Sequence, residues 1–209
     1  MTDTKAIAAK LSEQIMAAPR KGRRRLVALA GPPASGKSTF AEQLAEALIG
    51  AGSQAQVVPM DGFHLHNPIL IERDLLRRKG APETFDAAGF YELVRRLGIE
   101  DAVFFPTFDR ARDIAIAGAG QVDANVDTVI VEGNYLLFDE PVWRDLHPLW
   151  DFAIRLDVPM DVLRARLVAR WLEHGLSTKQ AEARASENDL PNAERVIKAA
   201  LIADATLTA

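Results

Sequence analysis

Residues 31–38 read Gly-Pro-Pro-Ala-Ser-Gly-Lys-Ser, and the segments on either side restrict the folds that can hold such a loop. Before it, Leu26-Val27-Ala28-Leu29-Ala30 is an unbroken apolar run, the pattern of a strand buried on both faces of a parallel sheet. After it, Phe40, Ala41, Leu44, Ala45 and Leu48 recur at intervals of three and four, which predicts a helix from Lys37 to Leu48 that Gly50 and Gly52 end. Gly31 and Gly36 have the Walker A spacing, in which backbone N–H groups at a helix N-terminus cradle phosphates. Lys37 reaches the β- and γ-phosphates and Ser38 offers its hydroxyl to magnesium, while Ala34, Ser35 and Thr39 complete the loop. ATP and Mg2+ are therefore the expected ligands, although a loop that touches only phosphates does not separate ATP from GTP.

The remaining pattern extends the alternation. Ile7, Leu11 and Ile15 predict an N-terminal helix within residues 1–20, and Val57–Met60 predicts a strand in which Pro59 implies an edge position or an irregularity. Helices are expected over 68–79 and 87–97, separated by Gly80–Thr84, and residues 102–105 and 113–116 could pair as a short excursion. Thr128–Val131 and Phe152–Asp157 read as core strands, and 161–172 and 178–187 as helices. The expected fold is α/β of the P-loop NTPase type, a mostly parallel sheet with helices on both faces and a helical lid near 160–190, in one domain over 1–209.

Charge and composition exclude several classes. With 25 Lys and Arg against 29 Asp and Glu, the chain has no general attraction for nucleic acid. Lys21–Arg25 reads as a solvated lead-in to a buried strand rather than a nucleic-acid patch. The absence of cysteine excludes disulfides and thiolate metal sites. Asp3, Lys5, Lys10 and Glu13 interrupt any export signal, and no apolar stretch approaches bilayer length, so a cytoplasmic protein without membrane contact is expected.

Ligands of open α/β sheets bind at the carboxyl ends of strands, and two acids stand there. Asp61 follows Val57–Met60 and suits the base that orients an acceptor hydroxyl; Glu132 follows Thr128–Val131 and suits the support of magnesium. Each precedes a glycine, so each also reads as a turn-former. His64 and His66 lack a third metal ligand nearby, which favours acceptor contact or surface exposure over a metal site.

Gly31–Thr39, Met60-Asp61-Gly62-Phe63, Lys79–Asp86, Pro106–Asp109, Val129–Gly133 and Asn188-Asp189-Leu190-Pro191-Asn192 stand in an order that resembles the uridine kinase, phosphoribulokinase and bacterial pantothenate kinase family. The resemblance covers roughly residues 25–205 and is strongest to a small bacterial subgroup described as candidate fructose transport system kinases. It implies a kinase acting on a hydroxyl of a small metabolite, with Asp61 as acceptor-side base and Phe63, His64, Asp109 and Arg110 near the acceptor. It also implies a lid helix from Asp161, where Arg166, Arg170 and His174 share a face and Arg170 is the first candidate to meet the transferring phosphoryl group. Asn192 is implied as a nucleotide contact. Asp109-Arg110 replaces the Ser-His pair of pantothenate kinase, and the basic lid of uridine kinase is missing, so a sugar of the fructose type is the expected acceptor. Pantothenate, a nucleoside, or a regulatory ATPase role are the alternatives.

Overall fold

The computed structural model describes residues 4–208. Its strands are β1 (Arg25–Ala30), β2 (Ala55–Pro59), β3 (Val103–Asp109), β4 (Ile114–Val122), β5 (Thr128–Gly133), β6 (Phe152–Asp157) and β7 (Ala205–Thr208). Five of them form a parallel sheet in the order β2-β5-β1-β6-β7, and β3 and β4 form a separate antiparallel hairpin. Helices are α1 (Thr4–Ala17), α2 (Lys37–Gly50), α3 (Asn67–Glu72), α4 (Ala87–Leu97), α5 (Met160–Glu173), α6 (Thr178–Arg184) and α7 (Leu190–Lys198).

Strand β1 shows why the apolar run is continuous. Leu26, Ala28 and Ala30 belong to a core shared with Phe90, Leu93, Val94 and Leu97 of α4, whereas Val27 and Leu29 pack with Leu11 and Ile15 of α1 and Leu44 and Leu48 of α2. Both faces of the sheet are thus covered, and each fully buried Leu, Ile, Val or Phe contributes roughly 1.5–3 kcal/mol against exposure. A third apolar cluster joins α5 to α7 through Leu163, Leu167, Leu190 and Ala193.

Several boundaries differ from expectation for identifiable reasons. The expected N-terminal helix spans Thr4–Ala17, and residues 1–3 lie outside the described residues. Pro59 ends the edge strand β2, where its missing N–H is harmless. The helix expected over 68–79 stops at Glu72, because Asp74 turns into the left-handed region at φ 54°, and only a 3-10 turn follows at Leu76–Arg78. The hairpin strands run longer than the four residues expected of each. Beyond α6, which a Ser177–Gln180 capping box begins, a π turn at Ala185–Asp189 leads into α7.

The basic lead-in is exposed at Lys21 and Arg23, as expected, but not at Arg24. Arg24 is fully buried, and its guanidinium donates to the carbonyls of Leu97 (3.0 Å), Glu100 (2.6 Å), Asp101 (2.5 Å) and Asp123 (3.0 Å). Arg23 pairs with Asp101 at 2.8 Å, and Arg25 reaches the carbonyls of Met16 and Ala18. These arginines fasten the start of β1 to the ends of α1, α4 and β4. No helix among the described residues is long and apolar enough to cross a membrane.

Candidate active site

Strand order places β1 between β5 and β6, so the chain turns to opposite sides of the sheet at its phosphate loop, where a crevice opens. Parallel register sets Leu29 of β1 opposite Glu132 and Glu132 opposite Pro59, which brings Glu132 beside the loop and Asp61 just past the neighbouring strand. A cavity of about 310 Å³ lies here. The loop enters α2 through Gly36 at φ 91°, a backbone angle that side chains rarely adopt, and Ala34 is also left-handed at φ 61°. A Cβ at Gly31 would stand 2.7 Å from Ser35 Oγ and 3.1 Å from Leu156 Cβ, so a side chain there would require Ser35 to shift.

Lys37 Nζ donates to the Pro32 carbonyl at 3.3 Å and faces the cavity. Burial lowers its pKa, and the neighbouring Glu132 and Asp61 carboxylates oppose that shift. Ser38 Oγ donates to Glu132 Oε1 at 3.2 Å. Glu132 is 7% exposed, and burial raises its pKa while Lys37 pulls it down. A buried carboxylate with one hydroxyl beside it fits a magnesium ion that takes its remaining ligands from phosphates and water. No cluster of three or more acidic, histidine or cysteine side chains exists among the described residues to form an all-protein cage.

On the far side of the cavity Asp61 Oδ2 accepts from Arg110 Nη2 at 2.6 Å. Asp61 sits in the 3-10 turn Met60–Phe63, over which the hairpin folds so closely that a Cβ on Gly62 would stand 1.9 Å from the Pro106 carbonyl oxygen. His64 stacks on Phe85 with ring centroids 4.0 Å apart and lies 4.8 Å from Phe108. Its Nδ1 is buried without a partner, and burial lowers its pKa to about 4, so the ring is neutral at pH 7. His66 is exposed, whereas His64 lines the cavity.

Of the residues read from the sequence, Ala34, Gly36, Lys37, Ser38, Thr39, Asp61, His64, Arg110, Glu132, Arg170 and Asn192 all line this cavity. Arg170 makes no ion pair among the described residues, and burial lowers its pKa. Arg166 reaches back toward the loop carbonyls of Ala34 and Ser35, at 3.5 and 3.4 Å, whereas His174 caps the end of α5 in solvent. Two expectations, Phe63 and Asp109, place differently. Phe63 packs edge-on against Phe90, 5.2 Å away, as part of the core. Asp109 accepts from the backbone N–H and Nε of Arg112 and so shapes the hairpin tip. Asn192, on α7, accepts from Arg78 at 3.2 Å and contacts Asn188, whose amide donates to the Lys79 carbonyl, so these bonds tie α7 to the loop at Lys79.

Lys79, Trp171, Arg184 and Asp189 are among the cavity residues that sequence reading did not single out. Lys79 is bonded to Asn67 and Asp113, and Trp171 donates to Asp189 at 2.6 Å with Arg184 against its ring. Lys79 and Asp189 lie inside quoted motifs, but only the π turn at 185–189 brings Asp189 into the cavity.

A parallel sheet, a phosphate loop opening a helix and a strand-end carboxylate bonded to the loop serine together define a P-loop phosphotransferase. Residues 26–201 match the Phosphoribulokinase / Uridine kinase family, and the chain belongs to it. It is an ATP-dependent kinase of that family's small-molecule type. A solved structure from Silicibacter sp. TM1040, described as a candidate fructose transport system kinase, is 55% identical with a TM-score of 0.93, covering 96% of this chain and 98% of that one. The uncharacterized protein YggC of Escherichia coli (strain K12) is 41% identical over 178 residues, 84% of this chain and 73% of that protein. A Schizosaccharomyces pombe protein described as a candidate uridine kinase is 37% identical, covering 87% of this chain and 82% of its own length.

Proposed function

We propose that the enzyme transfers the γ-phosphoryl group of ATP to a hydroxyl of a sugar of the fructose type. The observation that carries this reading is the Asp61–Arg110 pair, 2.6 Å apart and in the same cavity as Lys37 and Glu132. A carboxylate and a guanidinium side by side suit a polyol, which offers a hydroxyl proton to one and a neighbouring oxygen to the other. Likeness to the Silicibacter protein supports the sugar class.

In this reading the N–H groups of Gly36–Thr39 hold the phosphates and Lys37 bridges the β and γ oxygens. Arg170 neutralises charge on the group in flight, and Asp61 orients the attacking hydroxyl and takes its proton. Ser38 and Glu132 would hold magnesium, which supplies charge neutralisation when bound. His64, neutral on its aromatic shelf, offers the acceptor a hydrogen bond without adding charge.

ADP release by the purified protein, measured with ATP and magnesium across sugars, nucleosides and pantothenate, tests this directly. A ketohexose should raise the rate, and Asp61→Asn should lower that turnover at least about a hundredfold while sparing ATP binding. Stimulation by a nucleoside or pantothenate alone would remove the sugar reading. No stimulation by any compound would leave a hydrolase.

A further inference from the structure

A P-loop kinase holds its activated phosphoryl donor in contact with solvent, so something must keep water from taking the acceptor's place. We propose that Arg110 is the residue that discriminates between water and a polyol, by occupying Asp61 until a second oxygen arrives to receive the guanidinium; this rests on the kinase reading with Asp61 as the base.

Three observations carry it. Arg110 Nη2 donates to Asp61 Oδ2 at 2.6 Å, which engages the carboxylate that would otherwise activate a nucleophile. The Arg110 side chain is 53% exposed against 23% for Asp61, so the guanidinium can leave while the carboxylate stays. The hairpin tip that bears it is fastened on both sides. Asp109 accepts from Arg112 N at 3.0 Å, and the Asp113 carboxylate accepts from Asn67 Nδ2 and from Lys79 Nζ, each at 2.8 Å. The Arg110 side chain therefore moves without the hairpin backbone. Its charge also acts on Lys37, Glu132 and Arg170, which sets it between the donor and acceptor halves of the cavity.

Discrimination follows from counting oxygens. A water molecule entering the pair donates a proton to Asp61 and accepts from Arg110 on the same oxygen; one lone pair is left, but the cation bonded to that oxygen draws charge from it and weakens it as a nucleophile. A polyol uses two oxygens. One hydroxyl donates to Asp61 and keeps its lone pair for phosphorus, while its neighbour takes Arg110. In either reaction the attacking oxygen forms the new P–O bond, and the bond from the γ-phosphorus to the β–γ bridging oxygen breaks. ADP leaves with that electron pair, and the nucleophile's proton passes to Asp61. The products are a sugar phosphate or inorganic phosphate.

The test measures phosphate release from ATP and magnesium without acceptor, and sugar phosphate formation with it, for wild type, Arg110→Met, Arg110→Lys and the double variant Arg110→Met/Asp61→Asn. Arg110→Met should raise acceptor-free hydrolysis at least about tenfold, the weight of one charge-assisted hydrogen bond, and lower sugar phosphate formed per ATP consumed. Arg110→Lys, which keeps the charge but loses the planar fork, should leak less than Arg110→Met on the same scale. The double variant should lose the leak and fall to the wild-type hydrolysis rate or below it, since the leak runs through Asp61. Calorimetric ATP affinity reports that each variant is folded. Hydrolysis by folded Arg110→Met at or below the wild-type rate overturns the proposal, as does a leak that survives loss of the Asp61 carboxylate. Failure of the kinase reading has a different signature, the absence of sugar phosphate from wild type with any acceptor.

Discussion

Replacing Gly62 by alanine should cripple transfer while leaving the fold and the nucleotide site intact. A Cβ at this position would stand 1.9 Å from the Pro106 carbonyl oxygen, 2.4 Å from its carbon and 3.0 Å from Thr107 N, all backbone atoms that cannot rotate away. Relief requires the hairpin to lift from the Met60–Phe63 turn by more than about 1 Å, and a displacement of that size at reacting groups can lower turnover about a hundredfold. The hairpin carries Arg110 and Phe108, the turn carries Asp61, and His64 follows it, so the proposed acceptor site is split along the line that opens. Overpacking of this kind costs about 1–3 kcal/mol, which at about 2–4 °C per kcal/mol for a chain of this size lowers Tm by roughly 2–12 °C. The phosphate loop lies on a different strand, so calorimetric ATP affinity should stay within about twofold. Steady-state ADP release, differential scanning calorimetry and ATP titration read the three quantities, with Gly50→Ala as control because that position has open space around it. Turnover of Gly62→Ala within threefold of wild type would refute the close fit between turn and hairpin as the determinant of acceptor geometry.

Other consequences follow from buried groups. Arg24→Met removes four hydrogen bonds to buried or half-buried carbonyls and should destabilise the fold by about 3–5 kcal/mol, measured by urea denaturation, with little change in ATP affinity for any protein that remains folded. Because the His64 pKa falls from 6.5 to about 4 on folding, the unfolded chain binds the proton first as pH drops. Stability should therefore decline by up to about 3 kcal/mol between pH 6.5 and pH 4, and His64→Phe should remove that part of the slope. Glu132 has its pKa raised, so its ionised form penalises the metal-free fold above the ordinary carboxylate range. Glu132→Gln should raise the metal-free Tm at pH 7, lose that advantage in acid, and abolish magnesium-dependent turnover; an unchanged Tm at pH 7 would show that the carboxylate is not paying a burial cost.

What the sequence disclosed and what it hid divide along one physical line. Strand β1, the loop, α2, α4 and β6 are legible because a periodic apolar pattern records local burial, and the placing of Asp61 and Glu132 in one cavity is legible because both stand just at or past strand ends, where such sheets open a crevice. Arg24 was misread because nothing local says that carbonyls from α4, the loop after it and the residue after β4 converge on one guanidinium. Phe63 has the same ambiguity: three residues from Met60 and two from Asp61, it could face the acceptor or the core, and only Phe90 on a distant helix decides.

The acceptor half of the site shows the limit most clearly. The donor half is one continuous segment from Gly31 to Thr39, so its motif specifies its geometry. The proposed acceptor half is assembled from the turn at Asp61, the loop at Lys79, the hairpin tip at Arg110 and Asp113, and the π turn at Asp189, four segments joined by side-chain and backbone hydrogen bonds. Each joint couples residues tens of positions apart, and substitution at one joint moves the others. A family can therefore keep one phosphate loop while its acceptor site changes, because only the second depends on long-range register.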